Sequence, residues 1–155
     1  MTWNPEQALA DFTDVAKLAG VTLAAGDIQT EVLPAPHVPP TRLPAGTMAV
    51  YVFTHGGQVL KVGKVGPKSQ ARFTSQHYNP GSAMSTLAGS LIGDVAFIGL
   101  GKNDRAAIGN WIRANVDRTN FLLRTELGVP VLSLLESFLQ CRLRPRYEGF
   151  KSQHQ

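Results

Sequence analysis

Glu136 is the residue of this 155-residue chain whose surroundings most suggest chemistry. Residues 131–143 predict an apolar helix, and Leu132, Leu139 and Leu143 share the face of Glu136 at helical spacing. A carboxylate on such a face is costly to bury, and it normally takes a proton or a cation. Three environments satisfy it: a salt bridge, a divalent metal ion, or a helix edge beside solvent.

Charge is distributed unevenly along the chain. Residues 1–47 carry two basic and five acidic side chains, a net charge of −3, whereas residues 48–155 carry 13 basic and six acidic ones, a net charge of +7. This asymmetry suggests that the second part of the chain binds an anionic partner, and nucleic acid is the candidate. A basic surface that only maintains solubility is the alternative.

Composition excludes several classes of protein. Hydrophobic residues make up 43% and charged residues 17%, as in a globular domain. No apolar run reaches the roughly 18–20 residues that span a bilayer, and the N-terminal sequence lacks the basic head and apolar stretch of a signal peptide. The single Cys141 excludes an internal disulfide. We therefore expect a cytoplasmic protein with no membrane partner.

The N-terminal part predicts one helix and a connector. Apolar residues recur at helical spacing over 5–20, and Gly20 stands where a helix ends. Five prolines between positions 34 and 44 exclude a helix or a central strand there. We predict a helix and proline-rich connector over 1–46, a main domain over 47–150 and a tail over 151–155. The helix either packs on the main domain or serves as a contact arm.

The main domain opens with a predicted hairpin. Residues 48–53 and 59–63 are rich in β-forming residues, and Gly56-Gly57 provides the turn signal between them. A loop with an odd number of residues places Tyr51 opposite Lys61, whereas a two-residue Gly-Gly loop shifts the pairing by one. The sequence leaves both registers open.

The remaining segments predict a small sheet with helices packed on it, an α+β or mixed α/β fold. We expect helices from near Ser69, through Leu87–Ile92 and over 105–116, a short strand at Val95–Leu100, and a strand at Asn120–Arg124 before the final helix.

The pattern of chemistry-bearing residues resembles the GIY-YIG nuclease domain. Residues 136–147 have the form E-x-x-L-x-x-x-x-x-P-R-Y, similar to the end of that domain as found in the incision protein of bacterial nucleotide-excision repair. Residues 59–64 are similar to the family's V-L-Y-V-G-K, and Ala49-Val50-Tyr51 and Lys61-Val62-Gly63 are degenerate forms of its two signature triplets. Arg72 follows Gly63 by nine residues, where the family places an essential arginine. The resemblance covers about 100 residues and implies a three-stranded antiparallel sheet flanked by helices.

Three departures from the family bear on the chemistry. The second signature tyrosine is Lys61 here, the asparagine that often follows the P-x-Y segment is Glu148, and about forty residues (79–118) separate the arginine helix from the next strand. A lysine could polarise water or hold a phosphate oxygen as a point charge. Its presence could also mark a chain that binds nucleic acid without cutting it.

Phosphodiester hydrolysis, the reaction that the resemblance implies, offers a role for each candidate residue. Glu136 would bind one Mg²⁺ or Mn²⁺ ion, and Arg72 would hold the scissile phosphate. Tyr51 would act as general base if nearby cations lower its pKa from about 10. Lys61 would contact water or phosphate, and His77 would relay a proton or position Tyr51, although a surface histidine is the commoner interpretation. Flanking phosphates would bind five further cations: Lys64, Lys68, Arg142, Arg144 and Arg146.

The sequence therefore predicts a metal-dependent endonuclease acting on nucleic acid, with DNA as the favoured substrate. Two alternatives remain. One is a catalytically inactive nucleic-acid-binding module of the same fold. The other is a protein-interaction domain whose partner surface is formed by Trp3, the N-terminal helix and the proline-rich connector.

Overall fold

The computed structural model describes residues 2–81, 86–101 and 105–147. Five α-helices and four strands occur in that part of the chain. In chain order they are α1 (Pro5–Leu18), β1 (Ile28–Leu33), β2 (Thr47–His55), β3 (Gln58–Val65), α2 (Gln70–Thr74), α3 (Leu87–Ile92), α4 (Ile108–Asn115), β4 (Asp117–Arg124) and α5 (Val129–Leu143). The predicted tail at 151–155 and Glu148 lie outside the described residues.

The strands form one antiparallel sheet in the order β1-β4-β2-β3. The α+β class is confirmed, but the prediction of three strands is wrong because β1 adds a fourth. β1 pairs with β4 from Ile28 opposite Leu123 to Leu33 opposite Arg118. Its outer side is largely exposed, so its sequence has the weak alternation of an edge strand.

The β2–β3 hairpin turns through Gly56 and Gly57, both at positive φ. A shift in register between Phe53 and Thr54 then brings Phe53 opposite Lys61 and Tyr51 opposite Gly63. Tyr51 and Lys61 are therefore diagonal neighbours on one face of the sheet, which settles the register that the sequence left open.

Two apolar layers cover the sheet. We call the side that carries Ala49, Tyr51 and Phe53 the Tyr51 face, and the side that carries Met48, Val50 and Val52 the Val50 face. α3 and α4 pack on the Tyr51 face, and α1 and α5 on the Val50 face. Strand β3 lies at the sheet edge, so side chains from both layers can meet around it.

Helix α1 is packed against the domain. Asn4 caps its first turn by accepting a hydrogen bond from the Gln7 amide at 3.1 Å. The helix buries Ala8, Phe12 and Ala16 in the layer that α5 shares. Of the two placements expected for the N-terminal helix, the structure has the packed one.

The short strand predicted at Val95–Leu100 is wrong. The residues Val95–Ile98 form a 3₁₀ turn that ends at Gly99, which has a left-handed φ of 74°. A strand needs a neighbouring edge, and the start of the β3 edge is already covered. The backbone amides of Arg146 and Tyr147 donate to the carbonyls of Val59 and Leu60 at 3.0 and 2.8 Å.

Within the three described stretches of the chain, no helix has both the length and the apolar character that crossing a bilayer requires.

Candidate active site at the edge of β3

The phenol of Tyr51 lies directly over Gly63 on the neighbouring strand. A Cβ atom at position 63 would stand 2.3 Å from Tyr51 Oη and 2.5 Å from its Cζ. No real side chain fits there, so Gly63 is required by close approach rather than by backbone conformation. Because Gly63 has no side chain, the ring of Tyr51 reaches across β3 towards the sheet edge.

Tyr51 is buried, and two predicted site residues contact it. Arg72 on α2 hydrogen-bonds the phenol, and the His77 ring packs edge-on against it with 4.4 Å between ring centroids. Burial raises the pKa of Tyr51 above its ordinary value, and the cations Arg72 and Arg118 only partly oppose this. The expectation that nearby cations lower this pKa is wrong, because desolvation of the phenolate dominates.

His77 is a core residue and not a surface one. It lies in a 3₁₀ turn after α2, is fully buried, and its Nδ1 accepts a hydrogen bond from the Leu87 amide at 3.0 Å. Burial and then the cations Arg118, Arg72 and Lys61 hold the pKa of His77 well below its ordinary value. The ring is therefore neutral with its proton on Nε2, which can donate a hydrogen bond but not accept a proton.

Lys61, which stands where the family that the sequence resembles has its second signature tyrosine, is also buried, at 5% exposure. It lies on the Tyr51 face, where its Nζ donates to Ser90 Oγ on α3 at 3.4 Å. Ser90 was missed in the sequence because it lies in the long segment between the arginine helix and the next strand. That segment therefore supplies a partner for the unusual lysine.

A second missed residue, Arg118 on β4, is fully buried beneath the site. Its guanidinium donates to Asn120 Oδ1 at 2.8 Å, to the Phe73 carbonyl at 2.8 Å and to Tyr78 Oη at 3.2 Å. It also lies over the rings of Phe53 and Phe73, at 5.2 and 4.8 Å from their centroids. A permanent cation thus sits in the same layer as Tyr51 and His77.

The Arg118 network extends to the proline-rich connector. His37 donates from Nδ1 to the Val116 carbonyl at 2.8 Å, and its Nε2 contacts Tyr78 Oη at 2.7 Å. Burial holds the pKa of His37 below its ordinary value. The connector is therefore fixed to the core through a neutral histidine, which its proline content did not suggest.

Glu136 lies near the same edge of β3, reached from the Val50 face. The residue is buried, at 8% exposure, and its Oε1 pairs with Lys64 Nζ at 2.9 Å. The Glu136 charge also contributes to raising the pKa of Tyr51, after burial, so the two groups share one electrostatic environment. Of the three environments expected for Glu136, the structure shows an ion pair.

The donors near Glu136 are compatible with a hard divalent cation. No group of three or more His, Cys, Asp or Glu side chains gathers within the described residues, so water would have to complete the coordination shell. Gln140, one turn further along α5, donates from Nε2 to the Val62 carbonyl, and its Oε1 is buried with no partner in the part of the chain described. The ion pair with Lys64 shows that the Glu136 carboxylate accepts a cation. The Lys64 side chain is 38% exposed, so it has room to turn outwards when another cation binds.

The other predicted phosphate ligands are dispersed. Arg142 pairs with Asp11 of α1, and Arg146 pairs with Asp94 at 2.9 Å while covering the Phe97 ring. Lys68 is exposed beside α2, and Arg144 is exposed at the end of α5. The structure thus groups Tyr51, Lys61, Arg72 and His77 beside the Lys64–Glu136 pair, and gives Arg142 and Arg146 structural partners.

The chain was compared with protein-family models, with curated proteins and with solved structures. None of the three comparisons returned a match.

Proposed function

We propose that this chain is a metal-dependent endonuclease of the GIY-YIG type that hydrolyses phosphodiester bonds of nucleic acid, with DNA as the favoured substrate. The observation that carries the proposal is the grouping of Tyr51, Arg72 and His77 around Gly63, next to Glu136. Tyr51, Arg72 and Glu136 are residues on which the resemblance to the family depends, and the four side chains come from four different elements of the fold.

The residues divide the work of phosphodiester hydrolysis. Arg72 is half-buried and presents a planar fork suited to two phosphate oxygens. Lys61 and Arg118 add fixed positive charge where the negative charge of the transition state develops. Glu136, with Gln140 Oε1 as a second oxygen, would hold the divalent ion. Such an ion, when bound, supplies Lewis-acid stabilisation of the phosphoryl and leaving oxygens.

The role of Tyr51 depends on its protonation. Because burial raises its pKa, the free protein holds a neutral phenol. A neutral phenol orients the attacking water by a hydrogen bond, and it acts as a general base only in the fraction of molecules in which it has lost its proton. We therefore expect Tyr51→Phe to lose cleavage with little loss of stability. We also expect the cleavage rate of the wild-type protein to rise with pH, because the phenolate fraction of Tyr51 rises.

The decisive experiment is a plasmid-nicking assay with Mg²⁺ or Mn²⁺. We expect wild-type protein to nick, and Glu136→Gln to lose about 10³-fold in rate, because that substitution removes the charge that holds the ion. Glu126→Gln is the matched control, since Glu126 is exposed and lies outside the site. Wild-type rates in Glu136→Gln, or no metal-dependent nicking by the wild type, would reject the proposal.

A second candidate function is binding of nucleic acid without cleavage. The ammonium of Lys64 on Glu136 and the raised pKa of Tyr51 both favour it, because each opposes catalysis in the free protein. Retained DNA binding without metal-dependent nicking would select this alternative.

A further inference from the structure

A groove of about 410 Å³ lies at the far end of β3 from Gly63. Its wall includes Trp3, the hairpin turn at Gly57 and Gln58, and the end of α5 at Arg142 and Arg144. An aromatic ring beside arginine side chains is the combination that binds a nucleobase and its phosphate. None of the site residues described above lines this groove except two of the predicted phosphate ligands.

The ring of Trp3 is fixed in position. Its indole Nε1 donates to Thr119 Oγ1 at 3.3 Å, and the ring meets Phe121 edge-on at 6.2 Å. The residue is only partly buried, so one side of a rigid ring remains available to the groove. A pre-positioned ring loses little conformational entropy when a base stacks on it.

Arg144 is in an unusual backbone conformation. It has a φ of 48° and a ψ of 62°, and within the described ranges it is the one non-glycine residue with positive φ. Glycine is the residue that normally ends a helix this way. Arg142 and Arg146, its neighbours, have carboxylate partners, whereas no carboxylate in the described part of the chain pairs with Arg144. A strained position that carries an exposed cation is typical of a binding site.

The groove and the candidate active site lie along one ridge formed by β3 and α5. Val59 is four residues from Gly63 along β3, about 13 Å at 3.3 Å per residue. Arg144 is eight residues from Glu136 along α5, about 12 Å at 1.5 Å per residue. Both elements thus give the same separation between the groove and the candidate active site, and it corresponds to roughly four nucleotide steps of a stacked strand.

From these observations we infer that the groove binds one unpaired nucleotide of a single-stranded segment flanking the scissile phosphate, with its base on Trp3 and its phosphate on Arg144. This inference rests on the proposed function, which makes the candidate active site at Gly63 and Glu136 the place where the strand is cut. A base inside a duplex is stacked on both sides and cannot reach Trp3, so the groove selects single strands or junctions over continuous duplex.

The test is fluorescence anisotropy of a labelled eight-nucleotide single-stranded DNA, with full-length protein in EDTA so that cleavage does not interfere. We expect Trp3→Leu to weaken binding about 5- to 30-fold, and Trp3→Phe to retain most of the affinity. Arg144→Gly should weaken binding about fivefold. It should also reduce the slope of log affinity against log salt concentration by roughly the amount that one phosphate contact contributes. Arg124→Ala, a charge removal at the opposite end of the sheet, is the matched control and should bind as wild type.

Two further measurements separate recognition from damage to the fold. Glycine adopts the backbone of position 144 without strain, so Arg144→Gly should keep or raise the melting temperature while it weakens binding. An oligonucleotide with abasic sites should bind wild type and Trp3→Leu equally. Duplex DNA should be bound more weakly than single strands and be insensitive to Trp3→Leu.

Wild-type affinity in both Trp3→Leu and Arg144→Gly, or equal loss for single-stranded, abasic and duplex DNA, would overturn the inference. So would a wild-type protein that does not bind the single strand. The outcome is independent of the nicking assay, because binding in EDTA requires neither the ion nor cleavage.

Discussion

The two faces of the sheet bury different kinds of side chain. The Val50 face packs on α1 and α5 through aliphatic and aromatic residues, with Phe12 and Phe121 fully buried. The Tyr51 face also has an apolar core, but it buries Lys61, His77 and Arg118 within it. Buried cations and histidines are costly, and they cluster at functional sites more than elsewhere. The contrast indicates that the first layer mainly serves packing, with Glu136 at its edge, whereas the second holds most of the groups that the proposed function requires.

The largest effects are expected when one large buried side chain is removed from each face of the sheet. Phe12→Ala should cost about 3–5 kcal/mol of unfolding free energy, because it leaves a cavity. Arg118→Met should cost about 3 kcal/mol, because it leaves Asn120 Oδ1, Tyr78 Oη and the Phe73 carbonyl without their donor. Urea unfolding measures both.

Only Arg118→Met should also reduce nicking, measured at a temperature where both variants are folded. The reason is that Arg118 contributes positive charge beside Tyr51 and His77, whereas Phe12 contributes packing alone. Equal nicking by the two folded variants would contradict the division between the faces.

Acidification should destabilise the protein through the Tyr51 face. The pKa values of His37 and His77 are held below their ordinary value, mainly by burial, so the unfolded chain binds more protons than the folded one. Stability is therefore complete above about pH 6.5 and falls below it, by up to about 2.7 kcal/mol per pH unit for two protons.

Urea unfolding at pH 7.5, 6.5 and 5.5 checks this dependence. His77→Gln should be less stable at pH 7.5 but should show a shallower fall, with a slope smaller by about 1.4 kcal/mol per pH unit. A slope unchanged by His77→Gln would mean that other groups account for the acid sensitivity.

Gly63→Ala should disturb the point where the two faces meet. The added Cβ would stand 2.3 Å from Tyr51 Oη, so the ring must move, at a cost of about 1–3 kcal/mol. We expect nicking to fall with it, since Tyr51 then loses its position. Gly66→Ala is the matched control because open space surrounds that position. Similar stability and activity in the two variants would show that Tyr51 is not held by Gly63.

Lys64→Met should lower stability less than the core substitutions, by about 1–2 kcal/mol, because Glu136 is buried but its partner lysine is partly exposed. It should however tighten Mn²⁺ binding, measured by titration calorimetry, because it removes the ammonium that competes for Glu136. Lys68→Met, a nearby exposed lysine, should leave Mn²⁺ affinity unchanged. Unaltered affinity in Lys64→Met would argue against Glu136 as the metal ligand.

Local patterns made several elements predictable. The apolar periodicity of α1, α4 and α5 and the Gly56-Gly57 turn of the hairpin depend on neighbouring residues, and the structure confirms them. β1 was missed because it is a short edge strand whose partner lies about ninety residues away in sequence. Val95–Leu100 has strand-forming residues, but Val95–Ile98 form a 3₁₀ turn, because the chain packs these residues beside the Tyr51 face and not along a strand.

The identities of several candidate site residues were predictable from the sequence, but the burial and the partners of those residues were not. Tyr51, Arg72 and Glu136 stand out by type and order along the sequence, whereas Arg118 is one arginine among many until β4 places it in the core. Likewise nothing in the spacing of His37 indicates that it joins the network of Tyr78. Burial is a property of the packed chain, and it reverses the expected direction of the Tyr51 pKa.

By itself, the sequence determined the α+β class, the hairpin, the helix that carries Glu136 and the order of the residues that could act together. The tertiary structure decided that Tyr51 crosses β3 over Gly63, that Lys64 pairs with Glu136 and that Arg118 lies beneath the site. The physical reason is range. Periodicity and turn preference act over a few residues, whereas desolvation and ion pairing depend on groups that only folding brings together.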